Sequence, residues 1–455
     1  MALLYRFARI PDRANSHVFT FVVTRSVTRD VERDVTSKEF CCGHQRWAIT
    51  FSRTDKVLGV YLVWKSTSLA MRVYVDFSFT ILNREHFSVN EAFSGKQVKF
   101  THDCPAQGNR NYIPVADLYT RNFTDMNGEF QLELAMGHIR TVFDTEFRIP
   151  ASLLPFRPNP QGKGTVKIES CYFVFGGFDW NLALYPYGAK EVHEGRLSFY
   201  LNRCTGFDHQ CRVRFSVVLG DGDCRIDSGV VDDVSDSDGK SYGWHPRTRV
   251  ADLIYKGAIR VHLEMILANT LSEVISNVVH QQLSSSNSLG VIAQGITQCY
   301  DRDKQGWSIK TDTQSDLVRL HMVYKEIQNV PRNHLRYVAW TAYVLRHHGK
   351  QVEPVPLPGA PFSHYYAQDV SDEGIIMDTD ISIKELREPN CPYISDKGQL
   401  RIQVEWEESY LLFQATYHKY DDVSRIHNQQ MRKVIYFFKL HTINTMMSAG
   451  FIINK

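Results

Sequence analysis

Residues that could do chemistry are few in this chain, and their spacing serves it badly. Cys204, His209 and Cys211 in "CTGFDHQC" are zinc-ligand types, and so are Cys41, Cys42 and His44 in "CCGH". A structural zinc takes four N or S ligands in paired spacing. Neither cluster has a fourth ligand nearby, so both read as ordinary loop and strand residues. The acidic run "DDVSDSDGK" resembles a calcium loop. Counting back from Gly239, its ligand positions fall on Val234, Asp236 and Asp238, with His245 where a bidentate glutamate belongs, and the match fails at both ends. Metalloprotease chemistry needs H-E-x-x-H, serine acyl transfer a G-x-S-x-G elbow and nucleotide hydrolysis a P-loop; none of these occurs. A thiol hydrolase needs a nucleophile and distant histidine partners on a large catalytic domain, for which the strand pattern described below leaves no room. The expectation is a non-enzyme with no metal and no cofactor.

Two aromatic clusters stand out instead. Tyr200 closes "LSFY", and Lys240, Ser241, Tyr242 and Trp244 lie in "GKSYGW". Taken alone, such rings are most simply the core of a β-structure, and Lys240 is a solvated lysine.

The elements that would hold these residues are strands. The chain has 455 residues, 22 Tyr, 26 Phe and 7 Trp, a bias that suits pleated, half-buried surfaces. Val73, Val75, Phe77, Phe79 and Ile81 alternate over a polar face, and Val213, Phe215, Val217 and Leu219 do the same. Such period-two runs between Gly, Asn and Asp turns predict antiparallel sheets with one buried face, and several within about 130 residues read as a two-sheet sandwich.

The pattern recurs. "VADL" stands at Val115 and again at Val250, 135 residues on, with "ISIKEL" aligned near Ile383, a further 133. A tryptophan following a glycine turn gives an independent marker at Trp47, Trp180 and Trp307, spaced 133 and 127 apart. Two unrelated markers with one period indicate internal repetition. "VADL" itself reads as one helical turn, with Val115 and Leu118 facing the core and Pro114 opening it.

Three units follow: residues 1–148, 165–270 and 305–418. A helical, then serine-rich, linker spans 271–304, its apolar positions Leu271, Val274, Ile275 and Val278 set at helical spacing. Residues 419–455 read as a C-terminal helix from Asp421, acidic first and basic later, and the candidate for self-association.

Formal charge is only +2 and the basic residues are dispersed, which argues against a nucleic-acid surface. No apolar run approaches the roughly 18 residues of a membrane helix, and "MALLYRFARI" is too short and charged for a signal peptide. Nine irregularly spaced cysteines then read as mostly free core thiols in a reducing, cytoplasmic or nuclear, setting.

The glycine-to-tryptophan strand, a strand like "LSFYLN", the "FTILN" strand and the "YIPVADL" turn, in that order, resemble the MATH (TRAF-homology) domain. The resemblance is strongest in the second unit, fair in the first and weak in the first half of the third. It implies an all-β fold of three tandem antiparallel sandwiches. It also implies binding of short extended peptides of partner proteins in a shallow groove across one sheet, as in the substrate-recognition modules of cullin-type ubiquitin ligases. On that resemblance the groove falls on Tyr200, Lys240, Ser241, Tyr242 and Trp244, with Val213 at a position that is aromatic in that branch. The first unit keeps Tyr61 and Phe77 but has Asn109 where a ring belongs, and "DEGIIMDTD" in the third has no ring either. Rigid rings beside a register-fixing polar group are what a groove for an extended segment needs. The expected function is a non-enzymatic protein-interaction adaptor with protein partners and neither nucleic acid nor membrane. The rival readings are a structural scaffold without a groove and a hydrolase with an unrecognised site.

Overall fold

The computed structural model describes residues 1–10, 16–29, 33–149, 166–189, 196–205, 210–235, 241–281, 289–292, 296–312, 315–349, 351–368, 374–388 and 390–413. The structure is all-β, with β-sandwich character and two short α-helices among the described residues. The first third holds β1 (Ala2–Ile10), β2 (Ser16–Val23), β3 (Val35–Thr36), β4 (Phe40–Cys42), β5 (Gln45–Thr54), β6 (Val57–Trp64), β7 (Met71–Ile81), β8 (Glu91–Thr101), β9 (Ala106–Pro114), α1 (Val115–Thr120) and β10 (Phe130–Arg148). The middle third holds β11 (Ile168–Glu169), β12 (Phe173–Phe175), β13 (Phe178–Tyr185), β14 (Ser198–Arg203), β15 (Gln210–Leu219), β16 (Ile226–Ser235), β17 (Ser241–Trp244), α2 (Val250–Leu253) and β18 (Ala258–Gln281). The last third holds β19 (Leu289–Ile292), β20 (Ile296–Tyr300), β21 (Gly306–Asp312), β22 (Leu317–Tyr324), β23 (His334–His348), β24 (Gln351–Pro356), β25 (Phe362–Ala367), β26 (Ile375–Ser382) and β27 (Gln399–Phe413).

One strand order recurs in three small antiparallel sheets: β4-β5-β6-β9, β12-β13-β14-β17 and β20-β21-β22-β26. Among the described residues β7-β8, β15-β16 and β23-β24, the long β10, β18 and β27, and β1, β2, β19 and β25 belong to one 13-stranded sheet. The long strands join it end to end. The second half of β10 pairs with the first half of β18 (Thr141–Arg148 with Ala258–Met265), and the second half of β18 with the first half of β27 (Thr270–Asn277 with Gln399–Trp406). A backbone ladder therefore links each third of the chain to the next.

The turn before each marker tryptophan explains the marker. Trp47 Nε1 donates to the Cys42 carbonyl at 3.0 Å and Trp180 Nε1 to the Phe175 carbonyl at 2.9 Å. Trp307 Nε1 donates to the Asp301 carboxylate at 3.1 Å. All three indoles are fully buried, and a buried indole N–H must find an acceptor; the tight turn brings one back over the ring. The alternating runs fill the core as their period requires, with Val73, Val75, Phe79, Val213 and Val217 all 0% exposed. "VADL" forms α1 and α2, with Val115, Leu118, Val250 and Leu253 buried.

Two expectations need correction. Leu271, Val274, Ile275 and Val278 lie in strand β18, not in a helix. The inward positions of this strand include serines: Ser272 accepts from Trp406 Nε1 at 2.9 Å, and the Ser276 hydroxyl lies 2.6 Å from that of Thr311. Ile275 points outward and is 43% exposed. Polar residues inside and an apolar one outside hide the period of two. No disulfide joins the cysteines among the described residues, but only Cys42, Cys211, Cys299 and Cys391 are buried, while Cys104, Cys171 and Cys224 are exposed. The expected C-terminal helix lies outside the described residues. No helix among those described is long and apolar enough to cross a membrane.

Candidate functional site

The residues proposed for a groove divide between two faces of the second small sheet. Across β14 and β17, Phe199 pairs with Trp244, Tyr200 with Gly243, Leu201 with Tyr242 and Asn202 with Ser241. Cross-strand partners share a face and neighbours along a strand alternate. Phe199 and Leu201 are 0% exposed, so Tyr242 and Trp244 point with them into the core, whereas Tyr200 and Ser241 point out. Tyr242 is fully buried, 6.1 Å from the Trp180 ring, and its hydroxyl donates to the Cys211 carbonyl at 3.2 Å. Trp244 is half-buried against the same core. Val213 is buried on β15, in the other sheet. Ser241 is exposed. Lys240 and His209 lie outside the described residues.

A compact aromatic cluster occupies the outer face. The half-buried Tyr200 ring stands edge-on to Tyr185 (centroids 5.5 Å apart) and to His245 (5.4 Å). Its position depends on Gly243: a Cβ there would lie 2.8 Å from a Tyr200 ring carbon and 3.1 Å from His245 Nε2. Only glycine lets both rings close over the strand. Burial, with the neighbouring Tyr185, raises the Tyr200 phenol above its ordinary range, so at neutral pH it remains a hydroxyl able both to donate and to accept.

Beside the rings runs a polar ladder. Asn202 Nδ2 donates to Asn181 Oδ1 at 2.9 Å, Asn181 Nδ2 donates to Glu169 Oε1 at 3.3 Å, and Lys167 pairs with that carboxylate at 2.6 Å. Ser198, on the same face and 0% exposed, keeps a buried hydroxyl with no partner among the described residues. At the margin, β17 pairs with β14 alone among the described residues, so among these its outer edge has no strand against it.

Tyr185, His245, Asn181 and Asn202 were missed from sequence. Tyr185 carries a partial signal, falling out of phase with Trp180, Leu182 and Leu184, although Asn181 and Ala183 on its own face are buried too. His245 carries no such signal, lying beyond the strand. The first small sheet repeats part of the arrangement: Tyr61 pairs with Gly108, with Thr50 on its other side. Phe77 is core, and the Asn109 side-chain Oδ1 accepts from the Asn111 backbone N–H at 2.9 Å.

Among the described residues no group of three His, Cys, Asp or Glu side chains is placed to hold a metal ion. No protein-family model matches the chain, and a search of the curated proteins returns no match.

Proposed function

We propose that the chain is a non-enzymatic adaptor built of three tandem MATH-like sandwiches, and that the middle one binds a short extended segment of a partner protein. Service in a ubiquitin-ligase or signalling assembly is part of this reading. The observation that carries it is the Tyr185–Tyr200–His245 cluster closed over Gly243, next to the open edge of β17. An extended segment added to β17 would gain main-chain hydrogen bonds from the edge, and every second side chain would fall on the rings. Asn202, half-buried and held by Asn181 beneath it, offers an amide that fixes register. The groove residues in this reading are Tyr200, Tyr185, His245 and Ser241; Tyr242 and Trp244 support the strand from beneath.

Panning a random-peptide library against the full chain and a Tyr200→Ala, His245→Ala variant tests the proposal. Both side chains are half-exposed, so the variant should remain folded. Removing ring contacts at the centre of such a site typically costs on the order of 2 kcal/mol, about thirtyfold in affinity. Loss of recovery from the variant, with Tyr61→Ala unaffected, is the expected result. Equal recovery from wild type and variant would refute the groove.

The scaffold reading has one observation in its favour: the 13-stranded sheet joins the three parts by backbone ladders, a rigid connection of the kind a spacer needs.

A further inference from the structure

A cleft of about 840 Å³ opens on the outer face of the large sheet where β10 and β18 run side by side. Four arginines from four separate segments line it: Arg72 on β7, Arg140 on β10, Arg260 on β18 and Arg225 on the turn between β15 and β16. Gly220 shapes that turn. Its φ is +90°, and a Cβ would lie 2.6 Å from the Cys224 carbonyl oxygen.

Carboxylates hold three of the guanidinium groups without using all their donors. Arg72 Nη1 meets Asp144 at 2.6 Å, Arg140 Nε meets Glu264 at 2.9 Å, and Arg260 reaches Glu146 at 3.2 Å and Asp221 at 2.7 Å. His262 stands between two of these pairs, with Nδ1 2.6 Å from Asp144 and Nε2 3.3 Å from an Arg140 Nη2. In the neutral ring this means that Nδ1–H donates to Asp144 and Nε2 accepts from Arg140. Arg225 is exposed and makes no ion pair among the described residues. The lining holds four arginines against Asp144, Glu146 and Asp221, and Glu264 paired with Arg140 brings the carboxylates to four. Among the described residues Arg225 is the one of the four arginines with no carboxylate bonded to it.

We propose that this cleft binds a phosphate monoester. A carboxylate would only replace one of those already there and takes a single fork. A phosphate presents three acceptor oxygens in different directions, which matches guanidinium groups arriving from four segments. Arginines fixed by carboxylates lose little freedom when they add a further bond. The cleft is far larger than the anion, so the phosphate belongs to a larger molecule, either a phosphorylated side chain of a polypeptide or a phosphorylated small molecule. This site does not rest on the peptide groove.

Calorimetric titration of the full chain with inorganic phosphate, with a phosphoserine-centred peptide library and with the same library unphosphorylated tests the proposal. Saturable binding of phosphate is expected, weakening as salt rises. It should fall about tenfold in Arg225→Gln, a change on an exposed turn that puts no ion pair at risk, and further in Arg140→Gln. Tyr200→Ala should leave it unchanged. Tighter binding of phosphopeptides than of phosphate assigns the ligand to a polypeptide; binding of phosphate but not of phosphopeptides assigns it to a small molecule. Absence of phosphate and phosphopeptide binding at millimolar concentration overturns the site. Equal binding of both peptide libraries, or binding indifferent to both arginine substitutions, overturns it as well.

Discussion

Glu408→Gln should destabilise the fold by about 3 kcal/mol near neutral pH, and the loss should fade in alkali. Glu408 Oε1 lies 2.9 Å from His17 Nε2, and the two side chains are only 11% and 5% exposed. The pair ties β2, near the N-terminus, to the second half of β27. Arg9 reinforces it from 3.4 Å at Glu407 and 3.9 Å at Glu408, and Phe7 packs 4.5 Å from Tyr337 and 4.7 Å from Tyr410. Burial alone would lower the imidazolium pKa. Hydrogen bonds to Cys42 and Glu408, with their charges, outweigh it and raise the value to about 10 from 6.5. A group whose pKa is raised by folding stabilises fully below its unfolded value, and that stabilisation is lost as pH rises through the folded one. The window is therefore pH 6.5 to 10. The rise to about 10 corresponds to at most about 5 kcal/mol, shared between Cys42 and Glu408, and breaking buried pairs typically costs about 3–5 kcal/mol. Urea unfolding of wild type and Glu408→Gln at pH 6, 8 and 10 reads the difference directly. A difference below about 1 kcal/mol at pH 6, or one that does not shrink by pH 10, would refute the assignment of a charged buried pair.

Asp301 behaves in the opposite sense. Burial raises its carboxyl to about 6 from 3.8, so folding favours the protonated form and stability should fall by up to about 3 kcal/mol as pH rises from 4 to 6; in Asp301→Asn, melting curves should lose that slope. Tyr242→Phe removes a buried hydrogen bond and should cost about 1 kcal/mol, whereas Tyr242→Ala leaves a cavity and should cost about 4 kcal/mol, both read by denaturant unfolding. Gly243→Ala should displace the Tyr200 ring and abolish peptide recovery while the far-ultraviolet circular dichroism stays unchanged; unaltered recovery would mean that the ring's position does not matter.

Period-two patterning and the tryptophan turns made the strands legible, because a strand buried on one face must alternate and a buried indole needs a nearby acceptor. The joining of the three parts was not legible. It depends on β10 and β18 running past their own sheets to pair again, and Ser272 and Ser276 facing inward mask that extension. The site was half legible. "LSFY" and "GKSYGW" pointed to two strands that do lie side by side, but a shift of one residue exchanges the faces of a strand, and sequence alone does not say whether Tyr242 or its neighbours point outward. Tyr200 therefore keeps its place on the outer face, Tyr242 moves to the core, and His245 enters from beyond the strand end.

The central claim concerns an extended segment lying along β17, and amide hydrogen exchange tests it most directly. The full chain would be measured with and without the peptides recovered by panning. Slowed exchange is expected at the backbone amides of Ser241–Trp244, and is expected to be absent in the Tyr200→Ala, His245→Ala variant. Unchanged exchange at these amides on binding, or protection confined to the first or third small sheet, would contradict it.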